Sequence, residues 1–441
     1  MLRPDRQREF AVDVVRQLQA AGFRALWNGG CVRDLLMGRV PKDYDVATDA
    51  RPDAVRNLFG QRRTLAVGAS FGVIIVLGSK EAGNIEVATF RTEGPYLDGR
   101  RPEHVDFAGP EDDARRRDFT INGMFYDPLS EQVHDYVGGE KDLAAGVVRA
   151  IGRPSDRMAE DKLRMLRAVR FAATLEFQLD GPTADAVRAM APEIHVVSAE
   201  RIAQELKRML VDPHRRRAME LARDTQLLLE ILPELRPILD DAANPGDKGN
   251  AKSPWEISLR RLRLLEEPRF ELAAAALLAS VPEIGGSPSA GRKEPRVARG
   301  VCKRLRLSNQ ETDSIEWLLT HLHDVFASAT KSLAQLKRML SHPDARDLLA
   351  LARTDRLAAE GDLSSVMHCE ELLQRTPPEK LDPPPFVTGD DLIARGLPPG
   401  KRIREILDTI REAQLNEEVT TKEEAFRLLD QLLNNPPERG T

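Results

Sequence analysis

Two adjacent glycines, Gly29 and Gly30, close the apolar stretch Ala25-Leu26-Trp27 and open the helix-forming run Cys31-Val32-Arg33-Asp34-Leu35-Leu36. Nothing else in the chain restricts its fold as much. A glycine turn lets backbone approach a ligand closely, and the helix N-terminus that follows favours phosphate. Nine residues after Asp34 comes Asp43-Tyr44-Asp45, continuing into Val46-Ala47. Residues two apart on a strand share a face, so the two carboxylates are expected to project together. Paired anions are costly without a cation between them, and a hard divalent ion such as Mg²⁺ suits that oxygen cage. Together these parts describe a site for metal-assisted transfer of a nucleotide from a triphosphate.

Around this point the pattern mixes short strands with helices. Strands are expected at 23–27, 43–47, 72–78 and 84–90, and helices at 5–21, 30–37, 52–59 and 110–117. From about residue 155 the periodicity is almost wholly helical. Ser155 is placed as the N-cap of a long helix with Leu163, Leu166, Val169 and Leu175 turned inward. Breaks rich in Gly and Pro follow at 243–254, 285–295 and 377–385. A length of 441 residues allows two to four domains, and 31% charged with only 5% aromatic residues suits a helix-rich protein with an aliphatic core. The three cysteines, Cys31, Cys302 and Cys369, have neither pairing nor zinc spacing, which points to a reducing cytoplasm. No apolar run reaches the roughly 18 residues of a membrane span, and the start lacks the core of a signal peptide. A net charge of −5 does not itself advertise nucleic acid, so any RNA contact must come from local basic stretches.

Three further groups carry chemistry. Glu86, in Asn84-Ile85-Glu86-Val87-Ala88-Thr89, is either a third carboxylate from a neighbouring strand or a solvated strand residue. Arg115-Arg116-Arg117-Asp118, with Asn122 four residues further on, sets guanidinium forks in an apolar frame. Such forks donate two hydrogen bonds at once to a phosphate. Glu160-Asp161-Lys162-Leu163-Arg164 continues through Arg167 and Arg170. On a helix Asp161 and Arg164 are neighbours. The carboxylate would accept from the exocyclic amine of cytosine or adenine while the guanidinium donates to the ring acceptor, so guanine and uracil would be refused. The alternative is a surface ion pair at i,i+3.

In this order, these blocks resemble the class II nucleotidyltransferases, the bacterial group of CCA-adding tRNA nucleotidyltransferases and poly(A) polymerases. The likeness continues through Ser198-Ala199-Glu200-Arg201-Ile202, and Pro385-Phe386-Val387-Thr388-Gly389-Asp390-Asp391-Leu392 resembles the C-terminal region of the CCA-adding members. The resemblance implies an α+β chain with a mixed-sheet catalytic head at 1–150 followed by all-α parts. These are a neck at 151–225 that reads the base, a body at 226–376 and a tail at 386–437. It also implies that Asp43 and Asp45 bind the metal ions and carry catalysis. Gly30, Arg33 and Arg117 would then contact the nucleotide, Asp161 and Arg164 would read the base, and Arg167 and Arg170 would complete the pocket. The implied substrates are ATP, CTP and the 3′ end of tRNA, with Mg²⁺ as cofactor.

Within that group, Arg62-Arg63-Thr64-Leu65-Ala66-Val67-Gly68-Ala69-Ser70-Phe71-Gly72 is closer to the tRNA-type members than to poly(A) polymerases. Thr92-Glu93-Gly94-Pro95-Tyr96, running on to Pro102, resembles the loop that adding the terminal A requires. CCA addition is therefore the expectation, with addition of A alone or of a poly(A) tail as alternatives. Some relatives contain an HD phosphohydrolase-like body. Here Trp255-Glu256-Ile257-Ser258-Leu259 stands where such a body would read Trp-x-His-Thr-Leu, and Ala279-Ser280 where it would carry His-Asp, so no phosphohydrolase activity is expected. His321 and His323, two apart on a helix, are expected to be ordinary surface or boundary residues. The stripe from Arg292 to Arg306, and Arg215-Arg216-Arg217, are candidate RNA contacts or solvated helix faces.

Overall fold

β-Branched residues with period-two burial build the first part of the molecule. In the computed structural model, which describes residues 3–68, 72–93, 105–243, 253–282 and 296–434, the chain divides into two compact units, Met1–Pro233 and Glu234–Thr441. The first unit begins with α1 (Pro4–Ala20), β1 (Ala25–Asn28), α2 (Gly30–Leu36), β2 (Asp45–Thr48) and α3 (Pro52–Phe59). Then come β3 (Thr64–Gly68), β4 (Val73–Leu77), β5 (Asn84–Thr89), β6 (Arg91–Glu93), β7 (Val105–Phe107) and α4 (Pro110–Arg115). A hairpin of β8 (Phe125–Asp127) and β9 (Gln132–His134) precedes α5 (Gly139–Ala145). Seven strands form one sheet in the order β3-β4-β5-β2-β1-β8-β9. Only β2 and β5 run parallel among its paired neighbours; the other pairs are antiparallel.

The two sheet faces have different tasks. On one, Trp27, Val46, Ile74, Val76, Ile85 and Val87 pack against Ala11, Val14, Val15 and Leu18 of α1. Tyr44 joins them, its ring 4.7 Å from that of Trp27. On the other face Leu26, Ala47, Phe90, Ala114 and Phe125 form a smaller cluster. Asn28 and Asp45 are in step with Leu26 and Ala47, so they continue this second face to the end of the strands. Asn28 and Asp45 are direct partners in the antiparallel register.

After β10 (Val147–Val148) the first unit turns helical: α6 (Pro154–Glu160), α7 (Leu163–Thr174), β11 (Gln178–Leu179), α8 (Gly181–Met190), α9 (Ala199–Val211), α10 (Arg215–Asp224) and α11 (Leu227–Ile231). The long helix expected from Ser155 is in fact two. Arg153 is the N-cap and Pro154 fills the first turn, where its missing N–H costs nothing. The helix then stops at Asp161, whose backbone is extended (φ −138°, ψ 106°). The Asp161 carboxylate accepts the Leu163 N–H at 3.0 Å and so starts α7. Asp43 likewise lies just ahead of its expected strand, since β2 begins at Asp45. The short strands β3, β8 and β9 were not expected; at three to five residues they carry too little alternation to register as a pattern.

Among the described residues, every regular element of the second unit is a helix. The unit comprises α12 (Arg236–Ala243), α13 (Pro254–Leu264), α14 (Phe270–Leu278), α15 (Arg296–Arg304), α16 (Asn309–Phe326), α17 (Leu333–Leu340), α18 (Ala345–Ala359) and α19 (Ser364–Arg375). The proline-rich stretch at 377–385 holds the short α20 (Pro378–Leu381). Its carbonyls at Pro383 and Pro384 accept from Arg411 and Gln414. Helices α21 (Gly389–Ala394), α22 (Lys401–Leu415) and α23 (Lys422–Asn434) enclose a separate cluster around Leu392, Ile406, Ile410 and Leu429. The breaks expected at 243–254 and 285–295 lie largely outside the described residues. So do Ala69–Phe71 and most of the Thr92–Pro102 segment.

Candidate active site

At the glycine end of β1, a cavity of about 620 Å³ opens on the second sheet face, bounded also by α7. Gly29 makes the turn at φ +70°, a conformation that favours glycine. A Cβ there would stand 3.3 Å from Nη1 of Arg117. Gly30, Arg33, Asp43, Asp45, Arg117, Asp161, Arg164 and Arg167 all line this cavity. Residues as far apart in sequence as Gly30 and Arg167 thus meet in one chamber. Arg170 is the exception among the expected nucleotide residues. Its guanidinium lies over the Phe171 ring at 4.1 Å and donates to Glu205 at 2.5 Å.

The acidic end is electrostatically strained. Burial pushes the Asp45 carboxyl up to about 6, and the negative charges of Glu86 and Asp43 add to the rise while Arg117 opposes it. Glu86 is the direct partner of Asp45 across the parallel β2–β5 pair. Among the described residues, no hydrogen bond or ion pair neutralises the carboxylates of Asp43, Asp45 or Glu86. That donor set fits a divalent cation. The described residues contain no preassembled group of three or more His, Cys, Asp or Glu side chains that would cage a metal. Water and phosphate oxygens would therefore complete the coordination, as is usual for small hard ions.

The arginine run divides by neighbour. Arg115 is exposed and pairs with Glu111. Arg116 and Arg117 turn inward onto Asp113, a buried carboxylate on α4 that the two guanidinium groups hold below its usual range against its burial. Arg117 spends Nε and Nη2 on Asp113 at 3.2 and 2.9 Å. Its Nη2 also donates to the Asn28 Oδ1 at 2.8 Å. Arg33 donates to Asp34 through Nε and Nη2 and to Asn122 through Nη1 at 2.8 Å. Asn122 in turn donates to Asp118 at 3.2 Å.

At the far wall the Arg164 N–H donates to the Asp161 carbonyl at 2.9 Å, but their side chains do not pair with each other, so the surface ion pair is ruled out. Arg201 on α9 holds the Asp161 carboxylate through Nη2 at 2.8 Å. Arg164 donates to Glu160, to the Arg157 carbonyl and, through Nη2 at 3.0 Å, to the Arg116 carbonyl. Helix α7 is thereby tied to the arginine run that ends α4. Asn28, Phe171, Arg201 and Arg208 also belong to this site or to its support, and none stood out in the sequence. Glu200-Arg201 was visible only as part of a resembling segment. Asn28 and Phe171 meet residues far along the chain, Arg117 and Arg33 respectively, while Arg208 pairs with Glu205 within its own helix.

Other candidates resolve differently. Arg215 is buried with Nε on the Leu210 carbonyl, Arg216 pairs with Glu220, and Arg217 donates to the Phe177 carbonyl. These three have internal partners. In the second unit Arg299 and Arg304 pair with Glu316 and Glu234, while Arg292 and Lys293 lie outside the described residues. His321 stacks on Trp317 at 4.6 Å, and His323 meets the edge of Phe326 at 6.0 Å. Ser258 donates to the Leu277 carbonyl, and the buried Arg261 spans the Ala276 carbonyl, Ser280 and Asp355.

Residues 26–149 match the family described as poly A polymerase head domain. Residues 176–239 match the one described as probable RNA and SrmB-binding site of polymerase A. Over 428 residues the chain is 33% identical to the CCA-adding enzyme of Geobacillus kaustophilus, covering 94% of this chain and 95% of that enzyme. It is 40% identical over 272 residues to the CCA-adding enzyme of Lactobacillus helveticus, a match spanning 58% of this chain and 64% of that enzyme. The crystal structure of the Bacillus stearothermophilus CCA-adding enzyme in complex with CTP superposes with a TM-score of 0.73 at 29% identity. That match covers 98% of this chain and 99% of the other. No helix among the described residues is long and apolar enough to cross a membrane.

Proposed function

The chain belongs to the family of CCA-adding nucleotidyltransferases, and we propose that it adds CCA to the 3′ end of tRNA from CTP and ATP without a nucleic-acid template. One observation carries this reading. The unneutralised acids Asp43 and Asp45 share a single chamber with the phosphate-facing Arg117 and with Asp161 and Arg164. A triphosphate could therefore be held at one end while its base is read at the other.

In this reading the tRNA 3′-hydroxyl lies near Asp45 and attacks the α-phosphate in line, and pyrophosphate leaves. Asp43 and Asp45, with Glu86 beside them, would hold divalent cations, which we assign as Mg²⁺. When bound, these supply a more acidic 3′-hydroxyl and charge neutralisation at the triphosphate. Arg33 and Arg117 orient the phosphates through fixed forks. Asp161 accepts from the amine of cytosine or adenine, and Arg164 donates to the ring acceptor. Phe171 and Arg167 close the base side. The assignment of residues 1–150 as head, 151–225 as neck, 226–376 as body and 386–437 as tail belongs to the same proposal, as does a cytoplasmic location. Three buried, unbridged thiols support the latter.

The test is direct. Purified protein is given tRNA lacking its 3′ end and each labelled triphosphate in turn. CTP alone should add two residues, and CTP with ATP should add three and stop. A long A tract would identify a poly(A) polymerase, and incorporation only onto tRNA already ending in CC would identify an A-adding enzyme. The full-length match to a CCA-adding enzyme favours the first outcome.

A further inference from the structure

β1 is apolar except at its last position. Ala25, Leu26 and Trp27 are buried hydrophobic residues, and Asn28 after them is only 5% exposed. A polar side chain in such a place has a desolvation cost that an apolar residue would avoid. Its Oδ1 accepts from Arg117 Nη2 at 2.8 Å. Its Nδ2 is buried and finds no partner among the described residues. Buried polar groups left unsatisfied are rare and call for an explanation.

Arg117 supplies one. Its Nε and one N–H of Nη2 go to Asp113, and its face rests over the Phe125 ring at 5.2 Å. Asp113 alone would leave the second N–H of Nη2 uncommitted. Asn28 takes it, which leaves the Nη1 edge, beside Gly29, turned to the cavity. Asn28 also lies directly across the strand pair from Asp45. One amide therefore touches the arginine and stands in register with the carboxylate between which the reacting phosphate would lie.

We propose that Asn28 is a positioning residue that fixes the Arg117 guanidinium relative to Asp45, so that Nη1 presents to the triphosphate. This rests on the nucleotidyltransferase reading. It predicts a defect on the phosphate side of the nucleotide, common to both triphosphates and independent of the base.

A double-mutant cycle of Asn28→Leu and Arg117→Ala, assayed by single-nucleotide incorporation on truncated tRNA, tests it. Asn28→Leu should lower kcat/KM about 10- to 100-fold, the range a small misplacement of a catalytic group can produce. The loss should be equal for CTP and ATP, with the preference for CTP over UTP unchanged. In the Arg117→Ala background the same substitution should cost nothing more, because its effect is spent through that arginine. Additive losses would overturn the proposal, as would a wild-type rate in Asn28→Leu or a loss confined to one base. If the leucine variant does not fold, Asn28→Ala removes the amide without adding bulk and runs the same cycle. A wild-type protein that incorporates nothing would instead refute the nucleotidyltransferase reading itself.

Discussion

Nε of Arg167 donates to one carboxylate oxygen of Asp118 at 2.8 Å, and Nη2 lies 2.7 Å from the same oxygen as an ion pair. The pairing joins α7 to the arginine run of the head, and it leaves a signature in pH. Burial alone would raise the Asp118 carboxyl, but the Arg167 charge and hydrogen bonds, with that of Asn122, bring it down to about 2. A carboxyl whose folded pKa is depressed stabilises the protein above its unfolded pKa. That contribution is lost as pH falls from about 4 toward 2. A shift of this size corresponds to about 2 kcal/mol at neutral pH. Urea denaturation of wild type and Asp118→Asn should therefore show a gap at pH 7 that narrows at pH 3. A gap independent of pH would refute the coupling.

Asp43 is exposed and bonds to nothing among the described residues. Asp43→Ala should change stability by no more than about 0.5 kcal/mol. Incorporation should fall by roughly 10²- to 10⁴-fold, since electrostatic help of several kcal/mol is removed at about 1.4 kcal/mol per decade. A chelator should silence the wild type in the same way and leave its thermal midpoint nearly unmoved. Retained incorporation in Asp43→Ala would dismiss the acid pair as the cation site.

Selectivity should respond to a residue outside the cavity lining. Arg201 holds the Asp161 carboxylate, so Arg201→Ala frees the acceptor that would read the exocyclic amine. Discrimination of CTP against UTP should fall by about tenfold, the worth of one modest hydrogen bond. Arg164→Ala should relax it further, because Arg164 also ties α7 to the Arg116 carbonyl. Competition between labelled CTP and UTP measures both, and unchanged ratios in Arg164→Ala would remove its base-reading role.

What was legible in the sequence follows from the range of the interactions. The Gly29-Gly30 turn, the strands near 73–77 and 84–89 and the helices near 4–20 and 52–59 announce themselves by local pattern. Asp43, Asp45 and Arg117 were legible because each sits in a compact block. Short edge strands such as β9 were not, because three residues cannot display a period. The break at Asp161 was hidden for a different reason. Glu160 through Arg170 keeps helical spacing, and only a side chain capping Leu163 reveals the interruption. Asn28, Arg201 and Glu205 act through partners 35 to 89 residues away, beyond the reach of any local reading.

Arg170 is the sharpest divergence between the two views, and it can be decided. Expected beside the nucleotide, it instead stacks behind Phe171 and pairs with Glu205, whose side chain is 3% exposed. Glu205 also receives Arg208 at 3.0 Å. Removing one member of a buried pair strands the other charge and costs about 3–5 kcal/mol, whereas replacing both with apolar residues of similar volume is often neutral. Arg170→Met should thus destabilise strongly, and Arg170→Met with Glu205→Leu should recover most of the loss in urea denaturation. In the double variant KM for CTP should stay within about threefold of wild type, because a group behind the Phe171 ring acts by holding that ring in place. A tenfold rise in KM with stability restored would return Arg170 to the nucleotide pocket that the sequence pattern assigns it.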